Sequence, residues 1–306
     1  MRIMVLGAAA GGGFPQWNSN GAGCRRARAG DPAAPARTQA SIAVTADDTH
    51  WFLFNASPDL RQQINATPAL QPRGGLRDTP IAGAVLTGGD VDAITGLLTM
   101  RERQPFTVYA TRAVMGILNT NSIFEVLARD VVKRHTVALE STTELCTPDG
   151  APTGLSCKLF AVPGKVPLYL ESRTEAPAIT VGEDITGAEI SANGHRLLFI
   201  PGCAEITGAV KQRVRGAELL LFDGTLWQDD EMITLGAGTK TGHRMGHMSL
   251  SGPHGTIAAL AELGIRRKVF IHINNSNPVL VADTPQRRQT EAAGWEVSYD
   301  GMEIKL

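Results

Sequence analysis

VLTGGDVDAITGLLTMRER, Val85 to Arg103, changes period halfway along. The apolar run Ile81 to Leu86 leads into it and suits a buried strand. Thr87, Gly88 and Gly89 break the pattern. Two carboxylates follow, Asp90 and Asp92. Beyond Ala93, apolar residues recur at three and four, at Ile94, Leu97 and Leu98, which is helix spacing. Strand, tight turn, acidic pair and helix start place hard oxygen ligands at the C-terminal end of a strand. Asp at a helix start also serves as a cap that accepts backbone N–H bonds. The stretch alone leaves both uses open.

Two more buried runs end in ligand-type side chains. LLLF, Leu219 to Phe222, runs into Asp223-Gly224, and KVFIH, Lys268 to His272, ends in an imidazole. Singly, the first reads as a turn and the second as a core histidine. Together, three strand ends carrying Asp90 and Asp92, Asp223, and His272 point to a shared metal site. Carboxylate with imidazole suits Fe(II), Mn(II) or Zn(II). His247 lies in HRMGHMSLSG, where Gly246 gives the backbone room and Ser249 is set to cap a following helix. His247 suits an acid or base near neutral pH, and a solvated loop histidine is the plainer reading. His243 reads either way. His50, His135, His195 and His254 lack acidic or glycine context. The amides of Asn274 and Asn275 can orient a polar substrate, although NSNP is also a good turn. Ser-His-Asp catalysis is the runner-up chemistry, and no G-x-S-x-G elbow supports it.

The bulk properties bound the class of protein. With 43 % hydrophobic and 19 % charged residues in 306, the chain is an ordinary globular sequence, read here as one domain over residues 1–306. A net charge of −1 supplies no basic field for nucleic acid. No apolar run approaches a membrane span, and the short run after Arg2 enters a glycine loop, so it reads as a strand rather than a signal peptide. Cys24, Cys146, Cys157 and Cys203 have no CxxC spacing, which fits reduced thiols in the cytoplasm. The loop GAAAGGGFPQWN fails the dinucleotide fingerprint and reads as a turn that lets backbone approach a pocket.

Further expectations follow along the chain. Residues 25 to 37, RRARAGDPAAPAR, read as an exposed excursion. Ser41 to Val44 and Trp51 to Asn55 read as paired strands. Ser57 reads as the N-cap of a helix with Pro58 at its first position. Phe124 to Val132 suits a helix or a mixed segment. Leu155 to Val162, Leu168 to Leu170, Glu189 to Asn193, Arg196 to Ile200, Trp295 to Tyr299 and Met302 to Leu306 read as strands. Strands dominate with helices between them, which favours an α/β sandwich of sheets flanked by helices.

Longer blocks carry a family resemblance: GAAAGGGFPQWN, NASPDLRQQI, LTGGDVD with GLLTMRE, VPGKVPLYLE, LLFDGT, RMGH and VFIHINNSNPVL. Together they resemble the pyrroloquinoline quinone (PQQ) biosynthesis protein B family over nearly the whole chain. The resemblance implies the metallo-β-lactamase fold, an αββα sandwich of two mixed β-sheets with the site at one edge. That fold's H-x-H-x-D-H motif falls on Gly88, Asp90, Asp92 and Ala93. The family resembles D-x-D-H here, so Asp90 and Asp92 match and Ala93 departs from it, which puts activity in doubt. Asp223 matches the late bridging carboxylate and His272 the last histidine. A cysteine cluster after PQWN often holds a small zinc site in the family. Here only Cys24 remains, so a structural zinc is not expected.

The resemblance further implies an Fe(II)- and O2-dependent hydroxylase, with Zn or Mn able to occupy the site in preparations. Its substrate would be a cross-linked glutamate–tyrosine diamino acid, a small-molecule PQQ precursor whose ring is hydroxylated. His247 and Asp90 would do acid–base work. Gly12, Gly13, Gln16, Asn274 and Asn275 would line the substrate pocket. The alternative is a non-catalytic carrier that assists export of PQQ or its precursor to the periplasm. A homodimer is left open.

Overall fold

The structure is a computed structural model that describes residues 1–172 and 178–306. Among the described residues, fourteen strands form two seven-stranded sheets. In chain order they are β1 (Arg2–Gly7), β2 (Ser41–Thr45), β3 (Trp51–Phe54), β4 (Ile81–Val85), β5 (Phe106–Ala110), β6 (Val132–Thr136), β7 (Thr142–Cys146), β8 (Pro152–Gly164), β9 (Thr180–Ala192), β10 (His195–Ile200), β11 (Leu219–Asp223), β12 (Arg267–Ile271), β13 (Trp295–Val297) and β14 (Glu303–Lys305). The first sheet runs β14-β1-β2-β3-β4-β5-β6 and the second β13-β12-β11-β10-β9-β8-β7. Each mixes an antiparallel part with a parallel part. Strands β3 to β6 are parallel in the first sheet, and β10 to β13 in the second.

Side-chain alternation explains the layering. In WFLF of β3, Phe52 and Phe54 face the second sheet, where they share a core with Leu159, Ile190, Phe199, Leu221 and Ile271. Trp51 and Leu53 face the other way, against Leu60 and against Val114 and Leu118 of the helix Arg112–Thr120. The second sheet repeats the scheme. Leu220, Phe222 and Phe270 turn outward onto Val210 and Val214 of the helix Gly208–Val214. The layers are therefore helix, sheet, sheet, helix, as the strand-rich pattern implied. Both faces of the central strands are dry, which is why they read as unbroken apolar runs. No helix among the described residues is long and apolar enough to cross a membrane.

Several local expectations are corrected. The helix opening at the acidic pair is one turn, Val91–Ile94, followed by a 3-10 turn, Thr95–Met100. The next helix upstream starts at Leu60 with Asp59 at the cap position. Ser57 does not cap it, because its hydroxyl donates to Gln63 Oε1 at 3.1 Å. Leu168–Leu170 is a 3-10 turn rather than a strand, and Ser122–Val126 is another within the mixed segment. Residues 25 to 37 are no free excursion. A helix spans Ala22–Arg28, and Arg37 is buried, donating to the carbonyls of Ser298 and Leu280 at 3.0 and 3.1 Å. Two edge strands, β6 and β7, escaped the sequence reading. VKRHT and TTELC sit at the free edges of the two sheets, where polar side chains face solvent and the hydrophobic signal is lost.

Candidate metal centre

Strands β4, β11 and β12 all deliver their C-terminal ends to one pocket. Val85 closes β4, and the chain turns through Thr87 to Asp90. Thr87 is fixed by Asn55, whose Oδ1 accepts the Thr87 N–H at 2.9 Å. Asp90 stands at the N-cap position of Val91–Ile94, but its side chain makes no capping hydrogen bond. Its carboxylate instead lines the pocket with Asp92, His247 and His272. On the second sheet, Asp223 is the last residue of β11 and pairs in register with Ile271, so His272 follows directly beside it. Gly224 permits that closeness: a Cβ there would stand 2.9 Å from Ile273 Cγ1. His272 itself is left-handed, with φ 57°. That conformation is rare outside glycine and asparagine, and it is a cost carried at the site.

The side chains form one connected cluster. Asp223 is fully buried. Its Oδ1 accepts from the Thr225 N–H at 3.1 Å and the Thr225 hydroxyl at 2.6 Å. Its Oδ2 accepts from the Cys203 N–H at 3.0 Å and lies 2.7 Å from His247 Nδ1. The Thr225 hydroxyl also lies 3.1 Å from His247 Nδ1 and 3.0 Å from His272 Nδ1. The two imidazoles stack, with centroids 5.1 Å apart. His272 Nε2 meets Asp92 Oδ2 at 3.0 Å.

The electrostatics follow from this packing. Burial pulls the His272 imidazole down, but its hydrogen bond to Asp92 and the field of three carboxylates carry it above its ordinary value. Burial works upward on Asp92, and the His272 contact outweighs it and holds that carboxyl low. Asp90 is pushed up, first by burial and then by the charge of Asp92.

These residues fit a cation. Asp223, His247 and His272 each offer a ligand atom, and those atoms lie within 4.8 Å of one another. Asp90 and Asp92 add negative charge to the same walls. Three carboxylates in one largely buried pocket repel each other unless a positive ion neutralises them. A set of oxygen and imidazole nitrogen suits Fe(II), Mn(II) or Zn(II) alike.

The structure thus gathers Asp90, Asp92, His247 and His272 around one pocket, with Asp223 buried beside it and in contact with His247. Of the glycine loop Gly11 to Gly13 and the amides expected to line the substrate pocket, Gly11 and Asn274 are there and Gly12 and Gly13 are not. Gly12 instead donates its N–H to Gln39 Oε1 at 2.9 Å. Gln16 and Asn275 hydrogen-bond each other and line a second cavity of about 720 Å³. Cys24 is buried with its Sγ 3.5 Å from Asn275 Oδ1. Thr225 was not singled out from the sequence. A threonine after Asp-Gly carries no signal that separates it from any turn.

The beta-lactamase superfamily domain matches residues 50–273. The chain is 61 % identical over 302 residues to coenzyme PQQ synthesis protein B of Gluconacetobacter diazotrophicus, covering 99 % of this chain and 98 % of that one. It is 52 % identical to the protein of the same name in Methylorubrum populi, over the whole of both chains. Among solved structures, Zn(2+)-bound PqqB from Methylobacterium extorquens superposes with a TM-score of 0.96 at 51 % identity, again over both whole chains.

Proposed function

The chain belongs to the coenzyme PQQ synthesis protein B family, within the beta-lactamase superfamily, and on that premise we propose that it acts in PQQ biosynthesis as an Fe(II)- and O2-dependent hydroxylase. The observation that carries this reading is the single cluster of Asp223, His247 and His272, with Asp92 bound to His272. The metal would be held by Asp223, His247, His272 and Asp92, and when bound it would supply O2 activation and a Lewis acid for a phenol. Zinc or manganese would fill the same donors without that redox chemistry. A structural zinc at Cys24 forms no part of this reading.

The substrate is a cross-linked glutamate–tyrosine diamino acid. One oxygen atom enters a ring C–H bond and the other leaves as water, with two electrons from an external reductant. The chain's own groups prepare the site. Thr225 holds both imidazoles against Asp223. Asp90, whose proton affinity burial raises, stands on the pocket wall as a group that can exchange a proton there. Asn274, which lines the same pocket, would offer an amide to the substrate.

Ala93 favours a second reading. It is buried and lines the pocket, yet it has no donor atom. A site lacking one ligand would bind the precursor and carry it without turnover. The two readings separate in one experiment. The protein is loaded anaerobically with Fe(II), given the precursor and ascorbate, and then exposed to O2. The hydroxylase reading expects a product one oxygen atom heavier, formed only with iron and O2. Precursor bound but recovered unchanged would favour the carrier.

A further inference from the structure

The pocket is electrically lopsided. Its metal end is acidic, and its rim carries a knot of basic side chains. Lys165 Nζ lies 2.8 Å from Glu171 Oε1, while Lys240 Nζ and Arg244 Nη1 lie 3.7 and 3.6 Å from Glu171 Oε2. The Lys165 and Glu171 side chains are only 13 % and 8 % exposed. Lys165 holds the Glu171 carboxyl below the usual range, so it is ionised at neutral pH. Among the described residues, the one carboxylate of Glu171 therefore pairs with three cations. Arg244 Nη1 is buried with no hydrogen-bond partner among the described residues. Like charges gathered at this distance repel, and repulsion of that kind is relieved by a further anion.

Two of these cations face the cavity. Lys165 and Lys240 line the same pocket of about 380 Å³ as Asp90, Asp92, His247 and His272. Glu171 is itself buried and pairs with both ammonium groups. Gly246 lets the Lys165 stem lie against the backbone, since a Cβ there would approach Lys165 Cγ to 3.2 Å and the residue is left-handed at φ 92°. A cation in the acidic end cancels the carboxylates there and leaves the basic rim for the organic ligand.

We propose that Lys165 and Lys240 form a carboxylate-binding subsite that anchors the substrate by an acid group remote from its reacting ring. The only anion the knot already holds, among the described residues, is itself a carboxylate, which is why a carboxylate is assigned over a phosphate. The subsite rests on the reading of this pocket as the substrate site, and not on the reaction carried out there.

The test uses the zinc-loaded protein, so that no turnover intervenes. Binding of benzene-1,3,5-tricarboxylate is measured by calorimetry, with inorganic phosphate as a parallel ligand, in wild type, Lys240→Gln, Lys240→Glu and Lys165→Gln. Zinc content is measured on each sample. The expected result is tricarboxylate binding weakened about tenfold or more by Lys240→Gln, further by Lys240→Glu, at unchanged zinc content. Lys240 is half-exposed, so its variants are expected to fold, and they decide the matter if Lys165→Gln does not. Unchanged affinity in both Lys240 variants would overturn the subsite. Phosphate bound as tightly as the tricarboxylate would overturn its assignment to carboxylates. Failure of hydroxylation with lysine-dependent binding intact would fall on the proposed reaction alone.

Discussion

Asp92 and His272 are 180 positions apart in the chain, and their side chains meet at 3.0 Å, Oδ2 to Nε2. The contact ties the loop after β4 in one sheet to the end of β12 in the other. Without metal it is an ion pair, since His272 is raised and Asp92 lowered. The raised histidine stabilises the fold fully below its unfolded value, and that contribution fades as pH rises through its folded value. The lowered carboxyl contributes above its unfolded value and fades as pH falls through its folded one. The pair therefore supports the metal-free fold most between about pH 4 and 6.5. Asp92→Asn is expected to lower metal-free stability there by about 3 kcal/mol, because it removes the hydrogen-bonded charge partner of a largely buried imidazolium. Denaturant unfolding at pH 5.5 and pH 9 checks this. Equal losses at both would contradict it.

The same proton competes with metal. A ligating imidazole must be neutral, so Fe(II) affinity is expected to fall as pH drops through the raised His272 value. Anaerobic Fe(II) titrations between pH 5.5 and 8.5 measure it. Affinity flat across that range would remove His272 from the ligands.

Ala93 sits in the pocket wall with 7 % of its surface exposed, and its N–H is bonded to the Asp90 carbonyl at 2.9 Å. Ala93→His puts an imidazole on that wall. Fe(II) binding is expected to tighten by about tenfold or more, beyond the effect of most changes outside the ligand set. Hydroxylation should rise with it. If neither changes, residue 93 does not reach the metal.

Thr225 lines the pocket, and its hydroxyl meets Asp223, His247 and His272. Thr225→Val keeps the shape and removes the hydroxyl. Metal affinity is expected to drop by roughly 10- to 100-fold while the fold persists. Competition with a chelator reads the first, and circular dichroism the second.

Asp300 ties the C-terminal turn to the core, accepting from Thr38 N–H at 2.7 Å and Ala8 N–H at 3.1 Å. Burial nonetheless pushes its carboxyl up to about 6. A raised carboxyl costs stability as pH climbs from its unfolded value toward its folded one, here from about 4 to 6. Asp300→Asn is expected to gain on wild type by on the order of 3 kcal/mol over that interval. A difference between the two that does not vary with pH would contradict the assignment.

The layers and much of the cluster were legible because the parallel strands are dry on both faces. LLLFD and KVFIH read as buried runs closed by ligand-type residues, and the structure puts Asp223 and His272 side by side in register. What escaped was long-range or polar. Nothing in HRMGH says that His247 Nδ1 lands on Asp223 rather than in solvent, because a loop's path depends on contacts elsewhere. Gly12 and Gly13 resemble Gly11 in sequence, yet only Gly11 faces the pocket, with Asp92 Oδ2 3.5 Å from where its Cβ would be. The edges β6 and β7 carry polar residues that mask their period. The knot at Lys165, Lys240 and Arg244 joins segments about 75 residues apart, so no local pattern announces it.

The central claim is that one metal ion sits among Asp223, His247 and His272. Anomalous diffraction at the iron edge, from crystals grown anaerobically with Fe(II), tests it most directly. One strong peak is expected in that pocket, about 2.0–2.2 Å from an Asp223 oxygen and from a nitrogen of each imidazole. A peak found only elsewhere, such as beside Cys24, or no peak at all from saturated crystals, would contradict it.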